Sequence, residues 1–278
     1  MPPFLPTLKI LPVAQLLPHE QHDQQRVLPL IKSLDSDGFL RNPPVVTPLS
    51  DDQARYVVLD GANRTAAFQM IGCPHIVVQV VESVNPGLRL RAWNHVVWGL
   101  ESRALLDGLS AIAGLNLREI DPGKDDPELS FSDCMARVLL SEKRGYDLCT
   151  ELGDLARRGS LLNAIVDSYK QRAMMDRTTV DTAESLTNLY DRFSGLIVYP
   201  IFKLDEILKL ASEGLRIPAG ITRFMISPRA LRLNYPLADL KKGQSLSEKN
   251  AALAQWLQER LARRGVRHYQ EETVLFDE

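Results

Sequence analysis

Apolar residues along the first 85 positions recur in two periods. Val27, Leu30, Ile31 and Leu34 fall at i, i+3, i+4 and i+7, which is one face of a helix. Asp23 is its expected N-cap and Gly38 its stop. Pro29 interrupts that pattern, so an irregular first turn is expected. Short apolar runs bounded by turn residues read as strands: part of 8–17, then 43–47, 55–60 and 75–81. Residues 50–53 read as a turn. A second helix is expected after Gly61-Ala62-Asn63, with Ala66, Ala67, Met70 and Ile71 inward and Gly72-Cys73-Pro74 ending it. The order strand, helix, strand, strand, helix, strand makes a small α/β unit.

Beyond Pro86 the pattern reads as mainly helical. Trp93, Val97, Leu100 and Leu105 mark a helix-like stretch over 88–106, and 160–175 and 180–193 read as two further helices. Residues 121–130 form a polar loop. Residues 196–202 are an apolar strand followed by a helix through Leu210. Residues 214–236 are irregular or strand-like, and Ser247 is the expected cap of a last helix with Leu253, Trp256, Leu257 and Leu261 inward. The expected architecture is α/β (α+β): a small unit over 1–85 packed against a mainly helical unit over 86–278.

Composition narrows the classes. The chain has 278 residues, 45% hydrophobic and 24% charged, with a net charge of -2. This excludes a largely disordered chain, a collagen-like fibre and a global basic field for nucleic acid. The three cysteines, Cys73, Cys134 and Cys149, form no CxxC and no expected disulfide framework, which points to a reducing, cytoplasmic setting. Prolines and Lys9 break the apolar N-terminus, and no run approaches the ~18 residues of a membrane span.

The strongest chemical signal is Leu59-Asp60-Gly61-Ala62-Asn63-Arg64-Thr65. A strand ends in Asp-Gly and a helix starts almost at once. Its unpaired amides and dipole suit an anion, and Arg64 and Thr65 can add charge-assisted bonds to phosphate. The plainer reading of the same residues is a tight turn capped by Asn63 or Thr65 with Arg64 solvated. Residues 216–242 carry Arg216, Arg223, Arg229, Arg232, Lys241 and Lys242 against Asp239 alone. Apolar residues, among them Ile221, Phe224, Met225 and Leu231, are interleaved, so some of these arginines lie near the core and need anionic partners. A substrate carboxylate, nucleotide phosphate, internal acids and nucleic acid all fit.

The segment 60–82 resembles the ParB/sulfiredoxin-like domain, with its Gly-x-x-Arg turn between strand and helix, and within that group it most resembles the free L-serine kinases, including those of siderophore-precursor synthesis. Pro18-His19-Glu20-Gln21-His22-Asp23 with Arg26, Trp93-Asn94-His95, and Gly220-Ile221-Thr222-Arg223 followed by Arg229-Ala230-Leu231-Arg232 carry the narrower likeness. The turn departs from the Asp-Gly-His-His-Arg common among these relatives, having Ala62-Asn63 instead. No cysteine stands in it, which excludes sulfiredoxin-type thiol chemistry.

The resemblance implies a kinase that moves a phosphoryl group from ATP or ADP, with Mg²⁺, to the hydroxyl of free L-serine. It implies Glu20 as the base that accepts the hydroxyl proton. Asp60, Gly61, Ala62, Asn63, Arg64 and Thr65 would bind nucleotide phosphate, with Asp60 also holding Mg²⁺ or orienting the turn. Trp93, Asn94, His95, Arg223, Arg229 and Arg232 would bind substrate. His19 and His22 are expected to be solvated, with no zinc site. No Walker A or protein-kinase signature is present. The alternative is a ParB-like DNA-binding regulator, which needs a helix-turn-helix and a basic face; a nuclease is a weaker third reading. Oligomeric state is open.

Overall fold

The structure is a computed structural model that describes residues 5–50, 54–122, 134–151, 153–187 and 189–268. The expected turn at 50–53 and polar loop at 121–130 fall largely outside the described residues. The first unit runs β1 (Thr7–Pro12), β2 (Leu16–Pro18), α1 (Gln24–Asp37), β3 (Phe39–Leu40), β4 (Val45–Pro48), β5 (Tyr56–Asp60), α2 (Ala62–Met70) and β6 (His75–Val80). Five of these strands form a mixed sheet in the order β1-β6-β4-β5-β2. Asp23 caps α1, accepting from the Gln25 amide at 3.0 Å, and Gly38 closes it in the left-handed conformation. The helix runs through Pro29, so the expected irregular first turn does not form. Met70 is exposed rather than inward.

The expectation of a mainly helical second half is corrected. The chain continues through β7 (Leu88–Ala92), β8 (Asn94–Trp98), α3 (Ser102–Ser110), β9 (Asn116–Ile120), β10 (Cys134–Leu139), β11 (Gly145–Cys149), α4 (Leu155–Lys170), β12 (Met174–Thr178), α5 (Ala183–Leu186), β13 (Gly195–Val198) and α6 (Leu204–Ser212). Six of its strands make an antiparallel sheet in the order β12-β8-β13-β10-β11-β9. Residues 88–92 alternate apolar and charged, which is the period of a half-buried strand. The helical spacing of Trp93, Val97 and Leu100 hides that alternation. The helix expected over 180–193 shrinks to the four residues of α5.

Antiparallel pairing of β10 with β11 sets Cys134 opposite Cys149, and the two are disulfide-bonded. This corrects the reading of the cysteines as unpaired, and the argument from them to a reducing compartment falls with it. Cys73 is free and buried. No helix among the described residues is long and apolar enough to cross a membrane.

The chain then forms β14 (Thr222–Ile226), which pairs with β7, and returns to the first unit through β15 (Tyr235–Pro236), α7 (Leu237–Lys241) and α8 (Leu246–Ala262). Tyr235, Leu237, Leu240 and Leu253 complete the core under α1 and α2. Ser245, not Ser247, caps α8, in a reciprocal box with Glu248. The first sheet is therefore covered on both faces. Along β5, Val58 faces the core of α1 and α2, while Val57 and Leu59 face the core shared with the antiparallel sheet. That alternation fixes β5 between two layers, and Asp60 emerges at its end.

Candidate active site

A cleft of about 450 Å³ opens at the end of β5. Glu20, Leu59, Asp60, Trp93, Arg177, Thr222, Arg223 and Arg229 are among its lining residues. Leu59 and Asp60 come from the first sheet, Arg177 from the six-stranded sheet and Thr222 and Arg223 from the β7–β14 pair, so the cleft lies where these elements meet.

Asp60 sits between two guanidinium groups. Arg64 Nη2 donates to its Oδ2 at 2.8 Å, and Arg229 Nη2 donates to the same oxygen. Burial would raise the Asp60 carboxyl, but Arg64 and Arg229 together outweigh it and hold the group below the ordinary aspartate value. Asp60 is therefore ionised at any working pH.

The turn that follows is self-contained. Arg64 Nη1 donates to the carbonyls of Asn42 at 2.9 Å and Pro43 at 3.0 Å. Its fork thus holds the loop before β4 and is not turned outward to an anion. Thr65 Oγ1 donates to Gly61 O at 3.2 Å, and Asn63 Oδ1 accepts from the Asp23 amide at 2.8 Å, tying α2 to the cap of α1. Ala62 is buried. Gly61 has φ of 100°, and a Cβ there would meet Pro44 Cβ at 3.0 Å and Arg64 Cζ at 3.2 Å. Glycine is required by both sterics and backbone. It also leaves the first amides of α2 with no side-chain cap.

Glu20 lies on the opposite wall. Its Oε2 accepts from the Gly220 amide at 2.9 Å. The backbone on either side is stitched to Ile217, through Ile217 N–H to His19 O at 3.0 Å and Gln21 N–H to Ile217 O at 2.9 Å. His19 is not solvated, as expected from sequence, but buried at 1% exposure. Its Nδ1 bonds Val58 O at 2.6 Å and its Nε2 bonds Thr222 Oγ1 at 2.9 Å. Because a carbonyl only accepts, Nδ1 carries the proton, and a neutral ring then receives the Thr222 hydroxyl proton. Thr222 lines the cleft with its hydroxyl held by His19.

The expected substrate residues divide. Trp93 and Arg223 line the cleft, the Arg223 guanidinium standing 4.5 Å over the indole. Asn94 and His95 do not reach it. Asn94 bonds Val180 O at 2.9 Å and the Tyr199 amide at 3.0 Å. His95 is fully buried, bonded to Tyr169 and to Gly220 O. As consecutive residues of one strand they point to opposite faces of the sheet, and both are buried, so each is held inside the protein. Arg232 is exposed beside Trp256, in a separate hollow, while Lys242 pairs with Asp239 at 2.6 Å. Of the interleaved apolar residues, Ile221 and Phe224 are buried but Met225 and Leu231 are exposed. The basic stretch is therefore dispersed over several sites.

Arg177 and Gln79 escaped the sequence reading, and Gly220 and Thr222 entered it only as members of a motif. Arg177 belongs to β12 and enters the cleft, where the charge of Glu20 favours its guanidinium against the cost of burial. Gln79 on β6 holds the segment that carries Arg229: its Nε2 donates to Pro228 O and its Oε1 accepts from the Ala230 amide, each at 2.8 Å. The Gly220-Ile221-Thr222 segment was visible as a motif; Arg177 and Gln79 had no local signal. Among the described residues no group of three or more His, Cys, Asp or Glu is gathered as for a metal ion.

No protein-family model matches the chain. It is 25% identical over 242 residues to the ATP-dependent L-serine kinase SbnI of Staphylococcus aureus, an alignment covering 87% of each chain. It is 28% identical over 117 residues to an ATP-dependent L-serine kinase of Staphylothermus marinus, covering 42% of this chain and 45% of that one. Among solved structures, C-terminally truncated SbnI from Staphylococcus aureus superposes with a TM-score of 0.70 at 24% identity, over 91% of this chain and 97% of that one. A free serine kinase in complex with AMP superposes with a TM-score of 0.69 at 14% identity, over 84% and 93%. The fold is the one that these kinases share.

Proposed function

We propose that this chain is an ATP-dependent kinase acting on free L-serine, giving O-phospho-L-serine and ADP. The observation that carries the reading is the pairing, across one cleft, of an anchored carboxylate, Glu20, with a wall of fixed cationic and polar groups, Asp60–Arg229, Arg223 and Thr222. The likeness over most of the chain to ATP-dependent L-serine kinases supports it.

In this reading the serine Oγ attacks the γ-phosphorus while Glu20 takes the hydroxyl proton. The bond from the γ-phosphorus to the bridging oxygen breaks, and ADP leaves with that oxygen. General-base help of this kind is worth about 10²–10⁴-fold. Arg229 stabilises charge on the transferred group, and Arg223 on Trp93 binds the serine carboxylate. The first amides of α2, behind Gly61, hold nucleotide phosphate. In this reading Mg²⁺ would take a carboxylate and complete its shell from phosphate and water; Asp60, whose Oδ2 is held by Arg64 and Arg229, would offer its Oδ1, and the ion would neutralise phosphate charge there.

The DNA-binding reading is not favoured. The stretch 155–177, where that reading needs a recognition helix, ends in β12, and Arg177 lines the cleft. The arginines of 216–242 form no continuous face. The test is phosphorus NMR of the protein with serine, ATP and Mg²⁺. A phosphoserine resonance that grows as ADP appears is the expected result; none from folded protein would overturn the kinase.

A further inference from the structure

Glu20 is held by a peptide that is itself held from behind. Gly220 donates its N–H to Glu20 Oε2 at 2.9 Å, and its carbonyl meets His95 Nε2 at 3.0 Å. His95 Nδ1 meets Tyr169 OH at 2.7 Å, and Tyr169 OH meets Tyr199 OH at 2.7 Å. His95, Tyr169 and Tyr199 are all buried. One acceptor fixes the direction of the whole chain. A carbonyl cannot donate, so His95 Nε2 carries the hydrogen; a neutral ring then accepts at Nδ1 from Tyr169, and Tyr169 accepts from Tyr199. Burial pushes the His95 pKa down to about 4, so the neutral ring is the resident form.

Gly220 is suited to this junction. At φ of 80° its N–H and carbonyl turn to different partners. The space a side chain would need is filled by the Arg177 guanidinium, and Arg177 is the cross-strand partner of His95. None of these groups behind Gly220 has a place in the chemistry proposed above.

We propose that His95 is a positioning residue for Glu20, acting through the Gly220 peptide, whose carbonyl sets its tautomer, with Tyr169, backed by Tyr199, occupying the Nδ1 acceptor. The proposal rests on the kinase reading for its catalytic consequence but not for its structural content. It predicts a split between the two amides that mimic either ring nitrogen. His95→Gln can restore a donor at the Nε2 position, whereas His95→Asn reaches only the Nδ1 position.

The experiment combines kinetics with the ¹⁵N-glycine spectrum. His95→Asn is expected to lower kcat for phosphoserine formation about 10²-fold, the low end of a base's worth, with both KM values moving by less than about threefold. His95→Gln is expected to recover most of the rate. The Gly220 amide proton, downfield through its carboxylate bond, is expected to move upfield in His95→Asn and in Glu20→Gln and to hold in His95→Gln. In a Glu20→Gln background His95→Asn is expected to cost little more, since both act at one point. Should His95→Asn fail to fold, Tyr169→Phe carries the same readouts at smaller amplitude. A Gly220 amide unmoved in these variants, or full additivity with Glu20→Gln, would overturn the proposal. A wild type that makes no phosphoserine would instead overturn the kinase reading, and the amide shift would still decide whether His95 orients Gly220.

Discussion

Arg64 donates to Asp60 Oδ2 at 2.8 Å across one helical step and uses its other terminal nitrogen to bind the Asn42 and Pro43 carbonyls. An arginine expected to greet phosphate is instead a brace between β5, α2 and the loop before β4. Arg64→Ala is therefore expected to be first a stability variant. It strands two carbonyls and half of an ion pair. With Asp60 itself partly solvated, the loss is discounted to roughly 2–3 kcal/mol, read as a lower midpoint in urea at unchanged slope. A midpoint within error of wild type, with weakened nucleotide binding, would restore the phosphate role.

Arg229 bonds the same oxygen from the open side. Arg229→Ala is expected to leave the urea midpoint within ~0.5 kcal/mol, as surface changes do. It is expected to lower kcat/KM about 10–10²-fold, the worth of a charge-assisted bond of ~1.5–3 kcal/mol. Calorimetry with ADP and steady-state kinetics distinguish the two arginines. Equal destabilisation by both substitutions would contradict the division of labour.

His95 makes a pH prediction. Its folded pKa of about 4 lies below the ordinary histidine value of 6.5, because burial disfavours the cation, the Gly220 carbonyl only partly offsets this, and Arg177 and Lys170 add repulsion. A group with a depressed folded pKa binds more protons when unfolded. Its contribution is thus complete above pH 6.5 and is lost as pH falls from 6.5 toward 4. At about 1.4 kcal/mol per unit the span is worth roughly 3 kcal/mol. Urea midpoints measured between pH 7 and 4.5 are expected to fall, and the fall to be blunted in His95→Gln. Parallel curves for the two proteins would remove His95 as the cause.

What the sequence made legible was local. Strand, glycine and helix at 56–70 follow one another directly, so the turn could be read from its own residues, and Asp23 and Gly38 bound α1 by side-chain and backbone rules that need no partner. Sheet pairing was not legible. His95 has the same identity whichever face of its strand is covered, and only the packing of Tyr169 and the Gly220 peptide over it buries it behind the cleft. Arg177 was read near a helix end because Met174-Met175-Asp176-Arg177 shows no alternation; its partner strand β8 lies about 80 positions earlier. Cys134 and Cys149 became neighbours by the register of one hairpin. Glu20 was singled out by the resemblance of its segment and Asp60 by its place at a strand end before a glycine turn, whereas the direction of Arg64 and Arg229 depended on which carbonyls and carboxylates the fold brought near.

Gln79 gives the last prediction. It is 2% exposed on β6, and its amide both donates to Pro228 O and accepts from the Ala230 amide. Arg229 stands between those two residues, so Gln79 sets where its guanidinium arrives. Gln79→Leu keeps the volume but leaves a backbone donor and acceptor without partners, at a cost of roughly 1–3 kcal/mol. Gln79→Glu can still accept from Ala230 but cannot donate to Pro228, and it adds a buried charge, so it is expected to be worse. If the clamp serves Arg229, Gln79→Leu also lowers kcat/KM, and that kinetic loss shrinks when Arg229 is already alanine, because the side chain being aimed is gone. Kinetics of the four proteins in that cycle supply the check. A Gln79→Leu penalty of the same size with and without Arg229 would mean that Gln79 supports the fold alone and does not aim the arginine.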